Sequence, residues 1–293
     1  MTADDVLTTR ARLAAPAPRV HRALTDPAEL TAWFAEHAEV DLPRAYTFWG
    51  PGVPDGDTPH QTLRHVDDHT VRFEWRLEDT DTTVEWALAP DGPDATVVTL
   101  SQTHFPGWEA AMAGTGPIAV MHTFWALAIA NLSDHLDGRS LTARADFTSP
   151  VMHAQIDVGA DPDTVFRSLT EPEQFGRWFG ANVGIEPRVG GRWSMGGFEI
   201  NPQGAEITEF TPGRSMTIDF GGMLSRFELE GSAGRTRLTL VQSGFDPATP
   251  PYGSWLGWLS GLAELRRYHE LADWRTIWIA VDTPGLPEGM LTL

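Results

Sequence analysis

The chain has 293 residues and a formal net charge of −19 at pH 7. Such an acidic protein repels nucleic acid and anionic membranes, so neither is an expected partner. All 21 basic residues are arginine and cysteine is absent, which excludes a cysteine nucleophile, a lysine Schiff base and disulfides. A hydrophobic share of 41% predicts ordered globular domains, and the length suits two of them.

The chain carries no sign of a targeting or membrane segment. Residues 1–20 contain Asp4 and Asp5 and no apolar run, so we expect no signal peptide. No stretch approaches the roughly 18 uninterrupted apolar residues that a membrane-spanning helix needs. We therefore predict a cytoplasmic protein, while the oligomeric state does not follow from the sequence.

One stretch of the chain occurs twice. Residues 20–34 read VHRALTDPAELTAWF, and residues 165–179 read VFRSLTEPEQFGRWF. A second pair, residues 99–105 and 239–245, shares a Thr-Leu-x-Gln pattern and a final Phe. Matches of this length at similar offsets predict a duplication of one module.

The first half predicts one strand, two short helices, further strands and one long helix. Pro16 opens the first helix, which extends to about Leu24, and Asp26-Pro27 caps and starts the second, which extends to about Ala35. Period-two alternation and turn residues predict strands at about 5–15, 44–50, 60–66, 71–76, 83–88 and 95–104.

The long helix of the first half is predicted from Pro117 to about Leu136. Its apolar residues recur at helical spacing, whereas the polar residues Asn131, Ser133, Asp134 and Asp137 are expected to face away from the buried side. Residues 138–149 are polar and contain a glycine, so they are the expected linker.

The second half repeats this order. We predict helices at 161–169, 172–179 and about 253–273, with strands at 151–158, 182–189, 191–196, 199–209, 214–221, 223–231 and 235–243. The last segment is too apolar for a free extension, so residues 274–281 are expected to pack on one of the domains. The predicted domains are 1–139 and 150–275, followed by a tail at 276–293.

These motifs resemble those of the SRPBCC superfamily of START-like, helix-grip proteins, and within it most closely the homologues of the activator of heat-shock-protein ATPase. The resemblance is carried by LTEP at 169–172, WF at 178–179, EPRVGGRW at 186–193 and the strand 236–240. The first half has Pro-Arg-Ala-Tyr at 43–46 in place of the Gly-Gly hairpin.

The resemblance implies an α+β fold with two tandem helix-grip domains. Each would be an antiparallel sheet of about seven strands wrapped around a long C-terminal helix, with two short helices and an apolar cavity. Members of the superfamily bind lipids, sterols, hormones or polyketides, cyclise polyketide chains, protect producers of reactive natural products, or act as chaperone cofactors. The fold alone does not choose among these functions.

Aromatic residues and two glutamines on the predicted inward faces are the candidate ligand-binding residues. Twelve tryptophans are hard to pack in a solid core because each indole N–H needs a partner, and lining a cavity relieves that constraint. A plain hydrophobic core is the alternative. The set is Trp33, Phe73, Trp75, Trp86, Gln102, Trp125, Trp178, Trp193, Phe220, Phe227, Gln242, Trp255 and Trp258.

Two histidines of the first half are weak catalytic candidates. His122 lies on the long helix, and His104 follows Gln102 at the inward parity of its strand. Imidazoles titrate near neutral pH and could exchange protons with a bound enol or carbonyl, but a structural or partly exposed position is the favoured interpretation for both. The second half has Gly244 in place of His104, so any such chemistry would be restricted to the first half.

A metal site and a cofactor are not expected. His60, His65 and His69 lie near Asp67 and Asp68, but on strands their spacing does not bring the three rings to one side.

The leading hypothesis is therefore a bacterial protein that binds an elongated, largely apolar small molecule, polyketide- or polyene-like, in natural-product biosynthesis. The alternatives are a polyketide cyclase, aromatase or dehydratase using His104 and His122, and a self-resistance or sequestration protein for a reactive natural product. A chaperone cofactor would need a partner surface that the sequence does not reveal.

Overall fold

The computed structural model describes residues 5–114 and 116–293. Residues 1–4, at the start of the predicted first domain, and Thr115 lie outside the described residues. The chain divides into two compact units. Unit 1 comprises Met1–Ser149, Tyr252–Ser260 and Ile277–Leu286, and unit 2 comprises Pro150–Pro251, Gly261–Thr276 and Pro287–Leu293. The domain boundaries at 139, 150 and 275 stay a prediction.

Unit 1 contains strands from both ends of the chain. They are β1 (Val6–Leu13), β2 (His37–Asp41), β3 (Ala45–Trp49), β4 (Gln61–Asp67), β5 (Thr70–Leu77), β6 (Thr80–Pro90), β7 (Thr96–Thr103) and β15 (Trp278–Asp282). Its helices are α1 (Ala17–Thr25), α2 (Pro27–Trp33), α3 (Trp108–Ala113) and α4 (Met121–Leu136).

Unit 2 repeats the order of strand, helix pair and further strands. Its strands are β8 (Met152–Val158), β9 (Val183–Ile185), β10 (Gly191–Met195), β11 (Ala205–Thr211), β12 (Ser215–Asp219), β13 (Leu224–Ser232) and β14 (Arg235–Ser243). Its helices are α5 (Pro162–Thr170), α6 (Pro172–Phe179) and α7 (Gly197–Ile200). Helix α8 (Tyr252–Glu270) begins in unit 1 and continues in unit 2.

The sheets confirm the α+β class and the tandem helix-grip prediction. Within the described residues, unit 2 has a seven-stranded antiparallel sheet in the order β8-β14-β13-β12-β11-β10-β9. Unit 1 has a six-stranded sheet in the order β15-β1-β7-β6-β5-β4 and a separate hairpin of β2 and β3. The expected count of about seven is therefore met in unit 2 only, because β2 and β3 pair only with each other in the part of the chain that is described.

The repeated tryptophan locks the two short helices of each unit in the same way. The indole N–H of Trp33 donates to the backbone oxygen of Ala23 at 2.9 Å, and that of Trp178 donates to Ser168 at 2.8 Å. Both rings are buried, so each bond satisfies an indole N–H inside the protein. This shared contact explains why the tryptophan occurs at the same place in both repeats.

Three polar residues near the end of α4 are buried, which corrects the prediction that they face away, whereas Asp137 just after the helix is exposed as predicted. Asn131, Ser133 and Asp134 are all at most 2% exposed. The segment that follows the helix folds back over this face: Asn131 Nδ2 donates to the Thr142 oxygen at 3.0 Å, and the Thr142 N–H donates to Asn131 Oδ1 at 2.9 Å. The segment predicted as a linker is thus an ordered part of unit 1.

A glycine pair interrupts one predicted strand of unit 2. The prediction of a strand at 199–209 is wrong in its first part, because α7 occupies Gly197–Ile200 and β11 begins at Ala205. Gly196 and Gly197 have φ values of 81° and 79°, a left-handed conformation that glycine adopts without steric penalty and that ends the preceding strand.

The end of the chain is packed rather than extended. Strand β15 pairs antiparallel with β1, with Thr8 opposite Asp282 and Thr9 opposite Val281. Residues 287–293 belong to unit 2, where the Asn182 N–H donates to the Met290 oxygen at 2.9 Å. No helix within the described ranges has the length and apolar character needed to cross a membrane.

Candidate functional site

The interior of unit 1 is filled by aromatic side chains that contact one another. The Trp125 ring lies edge-on to Trp75 and Trp86, with centroids 5.8 and 5.5 Å apart. Phe48 lies edge-on to Trp75 at 5.1 Å and to Phe73 at 5.7 Å. Edge-to-face packing at such distances stabilises aromatic clusters beyond the area that they bury.

A chain of hydrogen bonds holds the polar atoms of this interior. The Trp125 indole N–H donates to Gln102 Oε1 at 2.6 Å, and Gln102 Nε2 donates to Thr82 Oγ1 at 3.0 Å. The Thr82 hydroxyl in turn donates to the Trp75 backbone oxygen at 2.9 Å. Two predicted ligand groups, Gln102 and Trp125, therefore bond each other, whereas the buried Trp75 indole N–H has no hydrogen-bond partner among the described residues.

A small pocket of unit 1 is bordered by Trp33, Phe34, Phe124 and Leu127 and has a volume of about 10 Å³. A pocket of that size holds at most one water molecule, so a polyketide-sized molecule does not fit in it.

The predicted ligand-binding residues are mostly core residues of their units. Phe220, just after β12, is half-buried and lies edge-on to Trp193 at 5.5 Å. Gln242 Nε2 donates to Ser225 Oγ at 3.0 Å. The buried members are Trp33, Phe73, Trp75, Trp86, Gln102, Trp125, Trp178, Trp193, Phe227, Gln242, Trp255 and Trp258.

His104 does not have the inward orientation predicted for it. Strand β7 ends at Thr103, and His104 is exposed with a left-handed φ of 61°. Because the strand has ended, its alternation no longer predicts the side of the next residue. Gly244, at the matching place of the second repeat, has a φ of 82°, so both repeats make the same left-handed turn after this strand.

Replacing His104 by glycine is expected to raise the free energy of unfolding by about 0.5–1 kcal/mol, because a side chain in the left-handed region is strained. Urea denaturation measures the change. The control His153→Gly, at an exposed position inside strand β8, is expected to lower stability instead. A loss of stability in both variants would contradict the strain at His104.

His122 is half-buried beside aromatic rings. Its imidazole lies edge-on to Phe105 and Trp108, with centroids 5.7 and 5.6 Å apart. Burial lowers the pKa of His122 to about 4, and a hydrogen bond with the Ala119 backbone offsets only part of that effect. The ring is therefore neutral at pH 7 and a weak proton acceptor, which suits a structural residue better than an acid or base.

Unit 1 contains an open cleft of about 580 Å³ that the sequence analysis did not predict. Two aromatic pairs line it: His37 stacks on Trp49 with centroids 5.3 Å apart, and Phe147 lies 4.9 Å from Tyr252. We call this feature the aromatic cleft. Its lining residues are His37, Trp49, Gly50, Pro51, Val53, Pro54, Asp55, Gly56, Asp57, Gly116, Pro117, Val120, Phe147, Thr148 and Tyr252.

Glu36 holds one wall of the aromatic cleft in place. Its carboxylate accepts a hydrogen bond from the Gly52 N–H at 3.0 Å and pairs with Arg144 at 2.8 Å. A β-carbon on Gly52 would lie 2.9 Å from Glu36 Oε1, so the glycine allows this close approach without displacing the carboxylate. The carboxylate thereby joins the loop after β3 to the segment after α4.

The aromatic cleft is acidic at its rim. Asp55 and Asp57 line it, and a hydrogen bond from His60 at 3.2 Å holds the pKa of the Asp57 carboxyl below its usual value. Asp55 Oδ2 accepts a hydrogen bond from the Glu78 N–H at 2.6 Å, which fixes the side chain on the loop.

Two features of the sequence could have indicated the aromatic cleft. Phe147 is an isolated aromatic residue in the polar segment 138–149, and Trp49 lies on the opposite parity to the buried Phe48. Apolar rings outside a core face are the kind of residue that binding sites use. Neither residue lies on a predicted inward face, where the candidate ligand-binding residues are expected.

Two of the three histidines that were examined as possible metal ligands, His60 and His65, each pair with a different aspartate. His60 pairs with Asp57 at 3.2 Å and His65 with Asp67 at 3.0 Å. Across the described residues no group of three or more histidine, aspartate or glutamate side chains is arranged to hold a metal ion.

One known protein family matches both halves of the chain. The family described as "Activator of Hsp90 ATPase homolog 1-like protein" matches residues 14–137 and, a second time, residues 159–270. The chain belongs to this family. It contains two copies of the family's module, and the first includes most of the aromatic cleft. A search of the curated proteins found no match.

Several solved structures are similar to parts or most of this family member. DynU16, a protein of the dynemicin biosynthetic locus, shares 16% identity over 91% of this chain and 100% of its own, with a TM-score of 0.39. CalU16 from Micromonospora echinospora shares 23% identity over 46% and 76%, with a TM-score of 0.35. The Aha1 dimer from Colwellia psychrerythraea shares 18% identity over 42% and 98%, with a TM-score of 0.37.

Proposed function

We propose that the protein binds a planar, largely apolar small molecule in the aromatic cleft of unit 1. The observation that carries this proposal is the pair of aromatic walls, His37 with Trp49 and Phe147 with Tyr252, around a volume of about 580 Å³. Small-molecule sites are typically concave, roughly 300–1,000 Å³ in volume and lined by aromatic side chains with a few polar groups.

The chemistry of the walls favours a conjugated ligand. Flat rings such as Trp49 and Phe147 offer stacking faces, and Pro51, Pro54 and Val120 add apolar surface without hydrogen-bond donors from their side chains. A polyketide- or polyene-like molecule has this planar, apolar character, and natural-product biosynthesis is the setting that we propose for it. An elongated molecule could extend out of the cleft because one side is open.

Binding explains the aromatic cleft better than catalysis does. The residues described along it include neither His104 nor His122, and its titratable side chains are His37, Asp55, Asp57 and Tyr252. His37 is exposed and stacked on Trp49, and burial raises the pKa of the Tyr252 hydroxyl. General acid–base catalysis needs a group held at hydrogen-bond distance from the reacting atoms, and no arrangement of these side chains favours that role.

Replacing Trp49 by alanine is expected to weaken ligand binding at least about tenfold, because it removes one stacking face of the aromatic cleft. The neutral, planar fluorophore N-phenyl-1-naphthylamine is a suitable probe, and its fluorescence increase on titration with protein measures the dissociation constant. Phe147→Ala is expected to act in the same direction from the opposite aromatic pair.

Trp108→Ala is the matched control, since Trp108 is also half-buried in unit 1 but does not line the aromatic cleft. It is expected to leave the dissociation constant within about twofold of that of the unmodified protein. Equal affinities for Trp49→Ala, Phe147→Ala and the unmodified protein would contradict the proposed site.

A further inference from the structure

We infer that the aromatic cleft selects planar ligands that carry a positively charged nitrogen over neutral ones, and rejects carboxylates, sulfates and phosphates. The inference rests on the proposed function and adds the charge class of the ligand. It follows from the balance of charged groups around the cleft together with the identity of the rings that line it.

Carboxylates dominate the charged groups around the aromatic cleft. Asp55 and Asp57 line it directly. Glu78 lies immediately beside the lining residue Gly116, since a β-carbon on that glycine would be 2.7 Å from Glu78 Oε1. Asp146 is close enough to Tyr252 to add to the rise in the pKa of its hydroxyl, which burial mainly causes.

Positive charge near the aromatic cleft is scarce or already paired. Among the lining residues that the structure describes, His37 is the one that can become cationic. His60 is within hydrogen-bond distance of Asp57, and Arg144 pairs with Glu36 at 2.8 Å. An anionic ligand would therefore enter against an excess of carboxylates, and a cationic ligand would be attracted by them.

The rings supply the second attraction. A cation within about 6 Å of the centroid of a tryptophan, tyrosine or phenylalanine ring is stabilised by the ring's quadrupole, and tryptophan is the strongest of the three. Trp49, Phe147 and Tyr252 are all among the residues that line the aromatic cleft. A flat cation is thus bound through its faces by the rings and through its charge by the rim.

The charge of the whole chain acts in the same direction. With a net charge of −19 and no lysine, the protein attracts cations before they reach the aromatic cleft. Added salt screens this attraction, with a Debye length of about 10 Å at 0.1 M ionic strength. The affinity for a cationic ligand should therefore fall with salt more steeply than the affinity for a neutral ligand of the same shape.

The test compares three probes of nearly equal shape that differ in charge: N-methylquinolinium, 1-methylnaphthalene and 1-naphthoate. Isothermal titration calorimetry on the full chain at low salt gives their dissociation constants. We expect N-methylquinolinium to bind at least about tenfold tighter than 1-methylnaphthalene, and 1-naphthoate to bind more weakly than both. Raising the salt to 0.5 M should reduce the preference for the cation several-fold.

Asp55→Asn and Asp57→Asn remove the rim charges while keeping side-chain shape and an acceptor oxygen. Each is expected to reduce the cation-to-neutral preference at least about threefold with little change for 1-methylnaphthalene. Asp79→Asn is the matched control, because Asp79 is fully exposed and does not line the aromatic cleft. It should leave the preference unchanged.

The outcomes separate this inference from the proposed function. If 1-methylnaphthalene binds and loses affinity in Trp49→Ala, but N-methylquinolinium binds no tighter, the charge preference is overturned and the binding site stands. If no probe binds in a manner that depends on Trp49, both are overturned. Equal losses of preference in Asp79→Asn and Asp57→Asn would assign the effect to the net charge of the chain and overturn the role of the rim.

Discussion

Replacing Gln102 by leucine is expected to lower the free energy of unfolding by about 2–4 kcal/mol, the largest effect of any single polar substitution considered for unit 1. The side chain is 1% exposed and bonds the Trp125 indole and the Thr82 hydroxyl. Leucine keeps the approximate volume but leaves the buried N–H of Trp125 without an acceptor. The change in the free energy of unfolding therefore reports the loss of that hydrogen bond and not the creation of a cavity.

Urea denaturation followed by tryptophan fluorescence gives the change in the free energy of unfolding. Gln155→Leu is the matched control, because Gln155 is also a strand glutamine but is exposed, with a hydrogen bond to Thr239 Oγ1. That variant is expected to change stability by less than about 0.5 kcal/mol. Equal losses of unfolding free energy in Gln102→Leu and Gln155→Leu would mean that the buried hydrogen-bond chain does not stabilise unit 1.

Replacing His122 by glutamine is expected to remove an acid sensitivity worth about 2–3 kcal/mol. The pKa of His122 is lowered by burial to about 4 in the folded protein, whereas an unfolded chain has a value near 6.5. Between these values the unfolded chain binds the proton more readily, so the unmodified protein loses stability as the pH falls from 6.5 to 4. Glutamine does not titrate, so its variant lacks this contribution.

Unfolding free energies at pH 7, 6, 5 and 4 in the two proteins test this expectation. The difference in unfolding free energy between the two proteins should change as the pH falls from 6.5 to 4. It should level off below about pH 4, where His122 carries the proton in both the folded and the unfolded state. Burial also lowers the pKa of His269 in unit 2, so His269→Gln should act in the same direction and serves as an independent comparison. Parallel pH profiles for His122→Gln and the unmodified protein would contradict the buried, neutral imidazole.

The fold was predictable because its signals are local and repeated. The matching stretches at 20–34 and 165–179 set the duplication, and period-two alternation placed most strands within a few residues. Helix boundaries near Pro27 and Pro172 followed from proline at the first helical position. Each strand and helix boundary depends on residues that are close in sequence, so the local pattern of residues predicts it.

The site was harder to predict because its parts are distant in sequence. Trp125 can be packed in the core because its indole N–H donates a hydrogen bond to Gln102. The sequence pattern of neither segment alone reveals that bond. The aromatic cleft joins a loop near Trp49 to Phe147 and Tyr252, none of which belongs to a periodic inward face. Asn131 was misplaced for the same reason, since the segment that covers it is irregular.

The position of β15 has a consequence for how the protein is made. Strand β1 is translated long before its neighbour at the sheet edge, which consists of residues 278–282. During synthesis this edge of β1 therefore stays without its partner until residues 278–282 have been made. An open strand edge is a template for pairing with other chains, so the nascent protein is exposed to aggregation during that interval.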